Sequence, residues 1–177
     1  MSILVTLEQR GRLKTCALEA VCAAAKIAAA SGMPLNAVYI GKSLGEDLGA
    51  LAGTGIDTVY AYEHEDLHHY SNERYVEILC GLARELGAQV ILGSATALGK
   101  EFFASAAARL RAELIQDCVG VSWENGLKAV KPVYAGKVIA DVALTKFPAL
   151  LTLRPNVTPV ERQGACVPPG VPGTGSE

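Results

Sequence analysis

A run of small residues between an apolar segment and a helical pattern is the stretch best suited to chemistry. Residues 89–92 are mostly apolar, as at the end of a buried parallel strand, and apolar side chains recur at helical spacing after Lys100. Free N–H groups and the helix dipole attract anions to such a helix start. The pattern predicts a cradle for an anion or a nucleotide, although small residues also suit a tight turn without a ligand. The cradle candidates are Gly93, Ser94, Ala95, Thr96 and Gly99.

This loop matches neither of the standard phosphate-binding signatures. It lacks the G-x-G-x-x-G spacing of dinucleotide-binding folds and the Gly-Lys-Ser/Thr ending of a P-loop. Ser94 does not lie in a G-x-S-x-G nucleophile elbow, and no histidine or acid close in sequence completes a triad. A hydrolase is therefore disfavoured.

Cysteine and histidine give no defined metal or disulfide pattern. The chain has 5 cysteines without a C-x-x-C pair, which favours reduced thiols acting as small apolar side chains. All 3 histidines lie within residues 64–69. Their H-x-x-x-H spacing could hold a metal, but the surrounding acidic run favours a solvated loop.

Composition sets the broad class of the protein. The 177 residues suit one domain with a sizeable core, and half of them are hydrophobic. A net charge of −2 gives no electrostatic basis for binding nucleic acid or an anionic membrane. The most apolar run, residues 16–30, is interrupted by Glu19 and Lys26, so no membrane span is expected. We expect a cytoplasmic protein.

Strand and helix patterns alternate along the first two thirds of the chain. Strands are predicted at residues 3–7, 35–40, 58–62 and 89–92, with helical patterns between them. Thr15 is the predicted N-cap of the first helix, and Gly32 its predicted end. Repeated β–α units of this size predict a parallel sheet with right-handed crossovers.

The pattern changes after Arg111. Short strands are predicted at residues 119–123, 127–133, 137–144 and 150–153, and Asn125-Gly126 is a strong hairpin signal. This half should therefore add antiparallel strands to the parallel core. We expect one α/β domain over residues 1–160, and a Gly/Pro-rich linker or disordered tail over residues 161–177.

Four segments together resemble the α subunit of electron-transfer flavoproteins. They are residues 3–8 followed by an alanine-rich helix, LGSATALGKEF at 92–102, KPVYAGKVIADV at 131–142 and LTLRPN at 151–156. The resemblance covers residues 3–159 and is to the N-terminal domain of that subunit. Lys131 and Lys137 stand where the family usually has Arg and Asn.

The resemblance implies a fold and a role. The fold is a three-layer α/β sandwich with a mainly parallel sheet plus antiparallel strands in the C-terminal half, similar to adenine nucleotide α hydrolases or universal stress proteins. The role is that of a scaffold in a flavoprotein electron-transfer assembly, partnered by the β subunit or a separate FAD domain. Nothing in the sequence resembles the second domain that holds most of the FAD contacts. FAD is therefore expected in the full assembly and not on this chain alone.

The sequence is also compatible with other functions, and it suggests contacts with a partner. The chain could be a free-standing adenine-nucleotide-binding module that uses residues 93–99, or a decayed domain without activity. The added strands predict a subunit interface, with self-association as the substitute where no β subunit is present. The interface candidates are Trp123, Tyr134, Lys137 and Arg154. Core packing, a tight turn and a salt bridge are structural explanations for the same residues.

Overall fold

A six-stranded parallel sheet forms the centre of the computed structural model, which describes residues 1–160. Its strands stand in the order β3-β2-β1-β4-β9-β5. All five pairings between neighbours are parallel. The strands are β1 (Ser2–Leu7), β2 (Leu35–Gly41), β3 (Thr58–Glu63), β4 (Ala88–Ser94), β5 (Glu113–Cys118) and β9 (Ala149–Leu153).

Helices cover both faces of this sheet. The first face packs on α1 (Thr15–Ser31), and the second packs on α2 (Asn72–Glu85) and α3 (Ala97–Leu110). Side chains of β1 alternate between the two: Ile3 and Val5 belong to the α1 core, and Leu4 belongs to the core beneath α2 and α3. Short 3₁₀ turns occupy Gly45–Leu51 and Glu65–Leu67. The fold is thus the three-layer sandwich that the sequence predicts.

A second sheet of three antiparallel strands packs on the α1 side. It contains β6 (Gly120–Trp123), β7 (Leu127–Val133) and β8 (Val138–Leu144), in that order. Leu127, Ala129 and Leu144 join the α1 core. Asn125 and Gly126 both have positive φ in the turn between β6 and β7, which confirms the predicted hairpin.

Three local predictions are wrong. Residues 150–153 lie in β9, a parallel strand between β4 and β5, because their apolar run is buried on both faces. The adjoining strand β5 was missed, since its charged and amide residues Glu113, Gln116 and Asp117 interrupt the apolar pattern.

The predicted N-cap of α1 is also wrong. Thr15 is the first helical residue of α1; its N-cap is Lys14, which makes no side-chain capping bond. Gly32, by contrast, ends that helix with φ of 71°.

The predicted linker or tail over residues 161–177 lies outside the described residues. Within residues 1–160, no helix combines the length and apolar character needed to cross a bilayer. The cytoplasmic location stays a prediction.

Candidate functional site

A cavity of about 610 Å³ opens at the carboxyl edge of the parallel sheet. After β1 the chain adds β2 and β3 on one side, and it then crosses to β4 on the other side of β1. Crevices at this kind of reversal in strand order are the usual ligand sites of open α/β sheets. Both β1 and the β4–α3 loop contribute lining residues, so the cavity lies at that reversal.

The start of α3 forms one wall of the cavity. Thr96 is the N-cap residue, and its Oγ1 accepts a hydrogen bond of 3.0 Å from the Gly99 amide. A Cβ on Gly99 would lie 1.9 Å from the Ser94 carbonyl oxygen, so a residue with a side chain would force the turn apart. The small residues at Thr96 and Gly99 therefore serve the tight entry into the helix, as the structural alternative proposed.

A buried carboxylate directly after β1 reaches the same helix start. Glu8 is only 8% exposed, and its Oε2 accepts a hydrogen bond of 2.7 Å from the Thr96 hydroxyl. Its Oε1 pairs with the Lys14 ammonium. A negative charge of the protein itself therefore lies next to the end of the helix that would attract a bound anion.

Aromatic and aliphatic side chains form the rest of the wall. Tyr70, Tyr75, Phe102 and Phe103 contact one another edge to face, with ring centroids 5.0–6.0 Å apart. The Tyr75 hydroxyl lies 3.1 Å from the Ile40 carbonyl oxygen. Burial raises the pKa of Tyr75, and it raises that of Tyr70 to about 12, so both phenols stay neutral. Val38 and Ile40 add an apolar floor.

Ser94 has the most unusual environment among the lining residues. It is 2% exposed, and within residues 1–160 its Oγ is the buried side-chain oxygen or nitrogen that has no hydrogen-bond partner. The Cys16 thiol lies near it without hydrogen-bond geometry. Burial raises the pKa of that thiol, and the Ser94 hydroxyl lowers it by a smaller amount. A buried hydroxyl left unbonded costs free energy.

The loop candidates take different places around the cavity. Ser94, Thr96 and Gly99 line it, whereas Gly93 and Ala95 serve the fold. The Ala95 amide donates to the Leu153 carbonyl at 2.6 Å, and a Cβ on Gly93 would lie 2.4 Å from the Phe103 ring. Whether any of them binds a nucleotide is untested and stays a prediction.

Sequence reasoning missed the residues that lie far from this loop in the chain. Neither the polar residues Glu8, Gln9 and Lys14 nor Tyr75 stood out in the sequence as candidates. The predicted strand at residues 3–7 ends directly before Glu8, and the carboxyl ends of parallel strands are where functional side chains are presented. His68 and His69 also line the cavity, although both are exposed, as a solvated loop predicts. Residues 1–160 contain no cluster of three or more potential metal ligands.

The residues of the predicted interface do not form one cluster. Tyr134 and Lys137 are exposed in the turn between β7 and β8, and Tyr134 is 79% exposed. Trp123 is half-buried against the α1 core and contacts Phe147, with ring centroids 6.2 Å apart.

Arg154 forms the salt bridge that the structural explanation predicts. Its Nε and Nη2 donate to the two carboxylate oxygens of Asp117 at 3.1 and 2.7 Å. These bonds hold the pKa of Asp117 below its usual value. Asp117 has a φ of 66°, and its amide donates to the Thr152 hydroxyl. The bidentate pair thus ties β5 to the end of β9.

The fold and cavity define a three-layer α/β domain with a ligand-sized pocket at its strand reversal. The chain belongs to the electron transfer flavoprotein family, since the family's "Electron transfer flavoprotein domain" matches residues 3–173. The predicted resemblance is confirmed.

Curated relatives agree with the α-subunit assignment. The chain is 34% identical over 154 residues to "Electron transfer flavoprotein subunit alpha" of Thermoanaerobacterium thermosaccharolyticum, covering 85% of this chain and 47% of that protein. It is also 34% identical over 155 residues to "Protein FixB" of Clostridium saccharobutylicum, covering 85% and 46%. The α subunit of Syntrophomonas wolfei is 30% identical over 98% of this chain and 55% of its own length. The chain thus spans about half the length of the curated relatives it matches.

The family implies a flavin in the assembly, and the cavity fits its diphosphate poorly. A pyrophosphate at the start of α3 would meet the Glu8 carboxylate. The Thr96 hydroxyl and the Lys14 ammonium, which could hold a phosphate, are both bonded to Glu8 instead. The described residues therefore offer no fitting site for FAD in this cavity.

Proposed function

We propose that the chain is the scaffold domain of an electron-transfer flavoprotein assembly and binds a β subunit through its small sheet. Family membership and the α-subunit relatives support this role. In this proposal the redox chemistry belongs to a flavin held elsewhere in the assembly, and no side chain of this chain takes part in it.

The exposed edge of the small sheet is the observation that carries the proposal. Among the described strands, β8 pairs only with β7, so its outer backbone groups are free to pair with another chain. Val138 and Ile139 near the start of β8 are 49% and 57% exposed, beside the exposed ring of Tyr134. We name these three residues and the free side of β8 the β8 edge. An apolar edge of this kind is usually covered by a partner.

The other predicted contacts extend this surface. Lys137 lies in the same turn as Tyr134 and would contact the partner with it. Trp123 and Arg154 lie elsewhere, and both already have partners within the domain. They remain proposed contacts that only a larger interface would reach. A specific complex buries roughly 1,200 Å² or more in total.

Sedimentation of the chain with its cognate β subunit tests the proposal. Ile139→Asp should weaken the complex by about tenfold or more, because a buried charge replaces an apolar contact. Gly81→Asp is the matched control: it adds the same charge on α2, where a new Cβ meets no atom within 4 Å. Trp123→Ala and Arg154→Glu measure how far the interface extends.

Three results would contradict the proposed interface. They are a chain that ignores the β subunit, equal losses in Ile139→Asp and Gly81→Asp, and self-association through the β8 edge that survives addition of the β subunit. The purified chain should also be colourless, without the visible absorbance that bound FAD would give. Stoichiometric flavin after gel filtration would overturn that expectation.

A second candidate function is small-molecule binding in the cavity. The cavity's place at the strand reversal and the unpartnered Ser94 hydroxyl favour it. It is a broader form of the free-standing adenine-nucleotide-binding module that the sequence left open. It is compatible with a scaffold role because the β8 edge contributes no residue to the cavity.

A further inference from the structure

We propose that the cavity selects a nucleoside without phosphate and that Glu8 is the residue that excludes phosphorylated forms. This inference rests on the second candidate function, binding of a small molecule in the cavity. It names the ligand class from the donors and acceptors that the lining residues leave free.

The size and the walls of the cavity fit a flat ring. Its volume of about 610 Å³ lies within the range of roughly 300–1,000 Å³ that is typical of small-molecule sites. Tyr70 and Leu98 form the half-buried apolar part of the wall, whereas Val38, Ile40, Phe102 and Phe103 are already buried. The Tyr75 hydroxyl is already bonded to the protein. Such a wall gains free energy by burying an aromatic base.

The polar end of the cavity is already partly occupied by internal bonds. The Thr96 hydroxyl donates its proton to Glu8, and the Gln9 side chain donates to the Ile40 carbonyl and accepts from the Gly11 amide. The side chains that retain bonding capacity include Glu8, through its remaining lone pairs, and Ser94, through its hydroxyl. Lys14 also keeps N–H donors, but its ammonium is held against Glu8. A ribose presents hydroxyl donors that suit a carboxylate acceptor.

A phosphate is the wrong chemistry for this end of the cavity. At neutral pH a phosphate group is an anion whose oxygens mainly accept hydrogen bonds, so it cannot bond to a carboxylate, and two anions in contact repel. Glu8 takes the position beside the start of α3 and also engages Lys14, the nearest cation. Arg10 remains, but it is exposed at the rim, where solvent and salt screen its attraction.

Titrating adenosine and AMP into the ¹⁵N-labelled full chain tests the inference. Adenosine should shift the amide signals of Gly11 and Gly99, which line the cavity, and leave those of Gly81 and Gly136 in place. AMP should bind at least about tenfold more weakly than adenosine in the wild type. In Glu8→Gln, which removes the charge and keeps the size, the difference should shrink to less than about threefold, because AMP binds more tightly.

Each contrary result is informative. AMP binding as tightly as adenosine to the wild type would overturn the inference and leave the second candidate function standing. No shift with either compound, or shifts at Gly81 and Gly136 only, would overturn both. A difference between adenosine and AMP that persists in Glu8→Gln would overturn the role of Glu8. If that variant does not fold, the wild-type comparison still tests whether the cavity excludes phosphorylated forms. Binding of the β subunit is measured separately, so failure of the scaffold proposal cannot be confused with failure here.

Discussion

The cavity and the β8 edge expose this protein to its surroundings in opposite ways. The cavity is concave, its wall is part of the core, and most of its polar groups already have partners within the domain. The β8 edge is convex, its apolar side chains are in solvent, and its outer backbone groups are free. One surface fits a small molecule, and the other fits a polypeptide.

The difference shows which surface the fold itself needs. Phe103 at the cavity wall is 0% exposed and belongs to the core beneath α2 and α3. Ile139 at the β8 edge is outside both core clusters. Residues of the cavity should therefore change stability when they are substituted, whereas residues of the edge should change association alone.

The largest effect is expected for Phe103→Ala. Removing a fully buried ring leaves a void, and we expect a loss of about 3–5 kcal/mol in the free energy of unfolding. Ile139→Ala should change it by no more than about 0.5 kcal/mol, since most of that side chain is in water. Urea denaturation of the isolated chain measures both. Similar losses in the two variants would remove the distinction between the surfaces.

A smaller loss is expected for Gly99→Ala. The new Cβ would overlap the Ser94 carbonyl oxygen, a backbone atom that cannot move aside cheaply, at a cost of about 1–3 kcal/mol. Gly81→Ala is the matched control within a helix, because the space around its Cβ is open, and it should stabilise the chain by up to about 1 kcal/mol. Equal effects at the two positions would show that α3 starts less tightly than described.

The smallest effect on stability is expected for Asp117→Asn, near the carboxyl end of β5. Because Arg154 lowers the pKa of Asp117 in the folded chain, the pair adds stability above the unfolded pKa, which is near 3.8. That contribution is lost as the pH falls through the lowered folded value. The wild type should therefore exceed Asp117→Asn in stability at pH 7, and the difference should shrink below about pH 4. A difference that stays constant between pH 7 and pH 2 in urea denaturation would contradict this.

Two features set by interactions between neighbouring residues were predicted correctly, whereas a strand pairing set by long-range contacts was not. The hairpin at Asn125-Gly126 and the end of α1 at Gly32 were predicted, because φ preferences act within a few residues. Strand β9 was predicted to exist but given the wrong pairing, since an apolar run does not state which strand lies beside it. Strand β5 was missed because its polar residues interrupt the apolar pattern.

The sequence by itself determined the helices, most strands, the turns and the family. Periodicities of 2 and 3.6 residues and short motifs involve only residues that are close in the sequence, so they can be recognised there. It also located the tight loop before α3. Only the tertiary structure decided what that loop contacts. Thr96 and Glu8 are 88 positions apart, and they meet because β1 and β4 are adjacent in the sheet and parallel. Strand order follows from the packing of the whole core, and no local pattern encodes it.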